Sequence, residues 1–246
     1  MIGTVVNCIA IIAGTFAGIL FSSRISDEVS GVICSAAGIV TLIIGFQMAF
    51  EIRNVIYLAL ALITGGILGS WWDIDGRILA LGRWLEHRFG RKHTIAGAEP
   101  AAGTSRFAYA FLNASVLFCV GAMAIVGSFK AGTEGDCKIL YTKSVLDGFM
   151  AIVFGAAMGV GTAFSALSIL VYQGSLTIAS RFIKPWVSPQ MIAELTGIGG
   201  AFVVMIGINL LDLRKLKTAN YLPALVIMVM FVLLDPAIMK IAAYFV

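Results

Sequence analysis

Eight apolar runs order the chain, at 2–21, 28–50, 54–72, 107–127, 143–161, 164–181, 189–211 and 220–238. Each is long enough to cross a bilayer as an α-helix, because ~20 residues rising ~1.5 Å apiece match ~30 Å of hydrocarbon. The fifth and sixth runs meet at Gly159-Val160-Gly161-Thr162, so 143–181 reads either as two tightly joined spans or as one re-entrant element. Asp235-Pro236 is expected to kink or end the last span.

One long polar stretch interrupts the pattern, between runs three and four. In its first part, 73–93, Ile78, Leu81, Leu85 and Phe89 recur at helical spacing, with Arg77, Arg83, Arg88 and Arg91 off that stripe. This predicts an amphipathic helix lying on the membrane surface. The small-residue stretch AGAEPAAGTS that follows is a linker.

Composition changes this picture only by sharpening it. The 246 residues are 60% hydrophobic and 12% charged, with mean hydropathy +0.99. Soluble domains carry about 25% charge, so the fold class is an all-α, polytopic bundle of about eight transmembrane helices, one transmembrane domain over 1–246 without room for a soluble domain. No basic residue precedes the first run, so it is read as a retained span rather than a cleaved signal. The four cysteines, Cys8, Cys34, Cys119 and Cys137, form no CxxC pair and no His/Cys cluster, so neither a disulfide framework nor a metal site is expected.

The net charge of +4 matters through its placement. Ten of the 17 Lys and Arg residues fall on one side of the alternating topology, with dense clusters at 77–92 and 214–217, and seven on the other. The clusters orient both termini outside and the 73–106 segment in the cytoplasm. A nucleic-acid partner is not expected of this basic patch, since neither a soluble scaffold nor aromatic stacking surfaces accompany it.

Residues 25–47 align without a gap on 187–209, at an offset of 162. Ser26 meets Ser188, Gly38 meets Gly200, Ile44 meets Ile206, Gly45 meets Gly207, and Gln47 meets Asn209 as a like amide. An acid follows in each copy, Glu51 and Asp212, and Asn54 and Asn220 open the next spans. Span two therefore matches span seven, five crossings later. An odd number reverses direction, which predicts inverted three-helix repeats, about 2–72 and 164–238, around inserted spans at 107–161. Such repeats typify secondary transporters, with a site near the midplane.

Polar groups within spans supply the candidate chemistry, because they are expensive in hydrocarbon and tend to face the bundle interior. Gln173 sits mid-span beside Gly174, with Tyr172, Ser165, Ser168, Ser175 and Thr177 nearby. Glu194 lies deep for a carboxylate, where it binds a cation or proton or answers a basic group on another helix. Lys143 and Asp147, four apart, share a helix face and read as a mutual ion pair. Asn7, Gln47 and Asn209 lie near span ends, within reach of water. Gly14 and Gly18 form a GxxxG, as do Gly155 and Gly159, which favours close helix packing. Gly121 and Gly127 have a spacing that suits a broken helix. No P-loop, GxSxG, HExxH or dinucleotide fingerprint occurs, and both histidines lie in the surface segment, so no enzyme and no cofactor is expected.

The motifs FCVGAMAIVGSFKAGTEGD (118–136), KSVLDGF (143–149), FSAL (164–167), YQG (172–174), AEL (193–195) and GINLL (207–211), in that order, resemble the bacterial domain-of-unknown-function family 554 (DUF554), the YqgA-like or YdfK-like membrane proteins. The opening GTVVNCIAIIAGTFAGIL is similar to that family's first span. The resemblance implies a multi-pass protein of the bacterial inner membrane and directs attention to Lys143, Asp147, Tyr172, Gln173, Glu194 and Asn209. It supports no substrate. Where the family usually has Gly-Pro-Met this chain has Gly121-Ala122-Met123, without the proline that would fix a helix break. The functional expectation is a secondary transporter or channel-like permease for a small polar solute or ion. Gln173, Glu194, Asn209, Gln47, Tyr172, Ser168, Lys143 and Asp147 would line the pathway. The alternative is a scaffold or accessory subunit without transport. The bilayer is the expected partner, and a homodimer is expected from base rates alone.

Overall fold

In hydrocarbon no water can satisfy the backbone, so apolar runs of this length close their own hydrogen bonds as helices. The computed structural model describes residues 1–22, 27–89, 106–183 and 187–242. Among them are ten α-helices: α1 (Ile2–Ser22), α2 (Asp27–Ala49), α3 (Val55–Trp71), α4 (Ile74–Phe89), α5 (Arg106–Cys119), α6 (Ala122–Thr133), α7 (Lys138–Met158), α8 (Gly161–Ile183), α9 (Pro189–Leu210) and α10 (Pro223–Ala242). A 3₁₀ turn, Thr218–Tyr221, precedes α10. Six segments are long and apolar enough to cross a membrane, and two bent helix pairs bring the total to as many as eight. Large apolar side chains such as Ile9, Phe16, Ile43, Phe46, Ile67, Phe149, Val171 and Ile178 face outward from the bundle. So extensive an apolar exterior is what a lipid-facing surface requires.

The expected fourth span, 107–127, is two helices. α5 and α6 meet at 62°, hinged at Gly121, whose φ of 138° is closed to other residues. Glycine alone makes the break without the family's proline. α7 and α8 are separate long helices rather than one re-entrant element; Gly159, with φ 90°, turns the chain between them. Pro236 does not end α10, which continues to Ala242. α3 and α4 meet at 57°. On α4, Ile78 and Leu85 pack inward with Phe107 and Phe111 of α5, whereas Leu81, assigned to the same stripe, is 49% exposed beside exposed Trp84. The linker at 96–105, His93 and the repeat's opening Ser26 lie outside the described residues.

α1 lies parallel to α7 at very short range. A Cβ at Gly14 would meet the Gly148 carbonyl at 2.3 Å, and one at Gly18 the Ile152 carbonyl at 2.1 Å. The first GxxxG thus does what its spacing suggests. α5 and α6 follow α8 in the same sense, from Phe107 against Phe164, through Ser115 on Ser168, to Gly132 beside Ser180. α1 crosses α8 antiparallel, α2 crosses α9 antiparallel and α3 crosses α10 antiparallel. Within the α2–α9 crossing, Gly38 abuts Leu211, Gly45 abuts Val204, Gly200 abuts Ala49 and Gly207 abuts Leu42. Adding 162 to the first helix's positions and subtracting it from the second's turns the first contact into the third and the second into the fourth.

Candidate functional site

α1 buries Thr4, Asn7, Ile11, Gly14, Thr15 and Gly18, a stripe at helical spacing that faces α7 and α8. Thr4, Asn7 and Thr15 are its polar members, all 0% exposed, and Thr15 bonds back to the Ile11 carbonyl of its own helix. On α7, Lys143 and Asp147 lie one turn apart and form an ion pair, both buried. α7 begins at Lys138 rather than 143, so this pair sits one turn further into the helix than the apolar run suggests.

Asn7 joins the three helices. Its Nδ2 donates to Asp147 Oδ2 at 2.9 Å and reaches Gln173 Oε1 of α8 at 3.4 Å. Gln173 Nε2 in turn donates to Thr4 Oγ1 at 3.2 Å. The chain Lys143–Asp147–Asn7–Gln173–Thr4 therefore runs across α7, α1 and α8 without leaving the interior. Two hydroxyls address the Gln173 carbonyl: Thr177 Oγ1 donates to it at 2.8 Å and Ser128 Oγ of α6 at 3.4 Å. Asn7 Oδ1 is the loose end, buried without a hydrogen-bond partner. Ser128 lies on α6, so its bond to the Gln173 carbonyl brings the broken α5–α6 span against the cluster.

An ion pair taken out of water gains stability only when further hydrogen bonds complete it. Here Asn7 provides one to the carboxylate. The remaining links are between neutral side chains on different helices, each able to exchange partners by rotation. Such a cluster can present cationic, anionic, donor and acceptor groups to a small polar molecule within a few ångströms.

The other sequence candidates fall elsewhere. Ser168 of α8 bonds Ser115 of α5 at 2.9 Å. Tyr172, beside Gln173 in sequence, points to the exterior at 36% exposure. Glu194 is fully buried on α9, where its Oε1 accepts from the Asn54 N–H at 3.0 Å at the start of α3. Asn209 holds the connection after α9: its Oδ1 accepts from the Leu216 N–H at 2.7 Å and its Nδ2 donates to the Leu216 carbonyl at 2.9 Å. Gln47, its aligned counterpart, is exposed on α2. Asn7, expected near water, is instead central to the cluster, and Thr4 was not singled out. Their spacing with Gly14 and Gly18, which puts all four on one face of α1, is the signal that identifies them.

Fold and site together define a polytopic, all-helical membrane protein with a buried polar cluster built on a Lys–Asp pair. The chain matches a family model described as "Protein of unknown function (DUF554)" over residues 2–233, and it belongs to that family. It is 29% identical over 231 residues to the "Uncharacterized membrane protein YdfK" of Bacillus subtilis (strain 168), covering 92% of this chain and 93% of that relative. It is 26% identical over 227 residues to the "Uncharacterized protein YqgA" of Escherichia coli (strain K12), covering 92% of this chain and 94% of that relative. No solved structure matches.

Proposed function

We propose that this protein is a secondary transporter or channel-like permease for a small polar solute or ion, not an enzyme, in the inner membrane of a bacterium. The observation that carries the reading is the buried Lys143–Asp147–Asn7–Gln173–Thr4 chain beside the broken α5–α6 span. Ionised groups inside a membrane domain are costly and typically mark solute or ion pathways, and broken helices commonly form transporter sites. The paired glycine contacts of α2 and α9, which interchange under the 162-residue offset, support an arrangement of α1–α3 and α8–α10 as inverted repeats. The antiparallel crossings of α1 on α8 and α3 on α10 support the same arrangement. In this reading the repeats rock about the α2–α9 seam, and the clustered basic residues keep the α4 face in the cytoplasm with both termini outside.

The test is thermal stabilisation of the purified protein across a panel of small polar solutes and ions, followed by flux in proteoliposomes. A ligand at 100 times its Kd stabilises by about 2.7 kcal/mol, a readily measured shift. One solute class should stabilise the wild-type protein and be transported, and Asp147→Asn should abolish both responses. If no solute shifts stability and no flux develops, the reading falls and the cluster is a device for holding helices together.

A further inference from the structure

A second polar group of side chains lies where α3, α9 and α10 meet, outside the Lys143 cluster. Tyr57 of α3 donates its hydroxyl to Asp235 Oδ1 of α10, and Gln190 of α9 donates to Asp235 Oδ2 at 3.4 Å. Both Asp235 oxygens are thereby engaged. One turn beyond Gln190, on the same face of α9, stands Glu194. Its Oε1 takes the Asn54 N–H, while its Oε2 is buried with no partner. The charged and titratable groups that face Glu194 from the surrounding elements are Arg53 on the turn before α3, Tyr57 on α3 and Asp235 on α10. Arg53 is exposed, as is Glu51 at the end of α2.

A buried carboxylate with a bare oxygen and a second carboxylate nearby is only partly compensated by the main-chain N–H groups of Asn54 and Arg53 and one exposed guanidinium. It calls for a positive charge on that oxygen. A calcium ion takes six to eight oxygen ligands and magnesium demands a complete octahedron. Only one carboxylate oxygen is without a hydrogen bond here, because Tyr57 and Gln190 each donate to one of those of Asp235. Among the described residues no three His, Cys, Asp or Glu side chains gather to hold a metal ion. A proton needs a single oxygen.

We infer that Glu194 is a proton-binding site, with Oε2 as the protonated atom and Oε1 retained as the acceptor for the Asn54 N–H. If the transport reading holds, Glu194 is then the coupling site and the proton the coupling ion. That role rests on transport, whereas the protonation itself does not.

The experiment is infrared spectroscopy of the purified full-length protein in lipid nanodiscs, reading the C=O stretch of protonated carboxylic acids during a pH titration, in sodium and in choline salts. The wild-type protein should have such a band at neutral pH that bleaches in alkali, is the same in both salts and is lost in Glu194→Gln. Glutamine keeps an oxygen for Asn54, so the α3 turn should be preserved. Asp235→Asn, which leaves Glu194 in place, should move the bleaching to lower pH by removing the neighbouring negative charge. Absence of the band, or its persistence in Glu194→Gln, overturns the inference. So does a band seen only in choline, which assigns the site to an alkali cation, or bleaching that Asp235→Asn leaves unmoved. A Glu194 band without flux would leave this assignment standing and remove transport; flux without the band would do the reverse.

Discussion

The corner between α3 and α4 and the junction of α1, α7 and α8 both bury several polar side chains, and they use them in opposite ways. At the corner, Asn220 Oδ1 accepts from the Asp75 N–H at 2.8 Å, and Asp75 Oδ1 accepts from the Ala219 N–H at 3.2 Å. Asn209 makes the same kind of pair with both backbone groups of Leu216. These bonds run from a side chain to the main chain and fix a turn, and the same two asparagines reach the Ser70 and Thr218 hydroxyls only at 3.4 Å. At the junction the chain from Asp147 through Asn7 and Gln173 to Thr4 runs from side chain to side chain across three helices, and the Asn7 carbonyl oxygen is left over. A backbone group cannot turn away without unwinding its helix or loop, whereas a side chain can rotate to a new partner. The corner is held by groups that cannot turn away, and the junction by groups that can.

Breaking the ion pair on one side puts the heaviest load on this contrast. Lys143→Met leaves Asp147 buried without its counter-charge, and removal of one member of a buried pair costs about 3–5 kcal/mol. Lys143→Met combined with Asp147→Leu should recover most of that loss, because neither charge is then stranded. Equilibrium unfolding in detergent measures both, and the double-mutant cycle isolates the coupling. A single substitution that costs under ~1 kcal/mol would mean the pair is not charged in the bundle, and the junction would then be no different from the corner.

The corner should respond less in stability and not at all in function. Asn220→Ala orphans the Asp75 N–H, for a loss of about 1–3 kcal/mol, with solute stabilisation of the surviving fold unchanged. Gln173→Leu should do the opposite. Hydrogen bonds between membrane helices are worth about 0.6 kcal/mol on average, so stability should fall only slightly while the response to solute disappears. If Asn220→Ala abolishes the solute response, or Gln173→Leu leaves it intact, the division between the two regions is wrong.

How much of this was legible depended on the length scale of the signal. The spans were readable because each is a run of ~20 apolar residues, and hydrocarbon permits few alternatives. The break in the fourth was readable only as a spacing of glycines, since Gly121 carries it without proline and its φ of 138° is invisible in sequence. Lys143 and Asp147 were readable as a pair because the α-helix brings positions four apart together. Asn7 was not, because an amide six residues from the start of a span could as well reach water; only the packing of α7 and α8 over that end of α1 encloses it. Glu194 was recognisable as a deep carboxylate, but its partner is a backbone N–H on α3, which no side-chain pattern announces.

Gln47 and Asn209 give the smallest expected effect and the clearest separation of register from environment. They occupy equivalent positions two residues after matched glycines, Gly45 and Gly207, and both glycines sit in the α2–α9 crossing. Their surroundings differ because the chain does different things next. After α9 it folds back through the 3₁₀ turn and gives Asn209 a backbone to hold, while after α2 it enters α3 following a five-residue connection and Gln47 stays exposed. Gln47→Leu should therefore change stability by less than ~0.5 kcal/mol, as surface substitutions usually do, and leave flux unaltered. Asn209→Leu should cost about 1–3 kcal/mol by freeing both Leu216 groups. Equal effects from the two substitutions, measured side by side in thermal unfolding and in flux, would mean that Gln47 has a partner in the working protein. The equivalence of the two amides would then extend from sequence position to role.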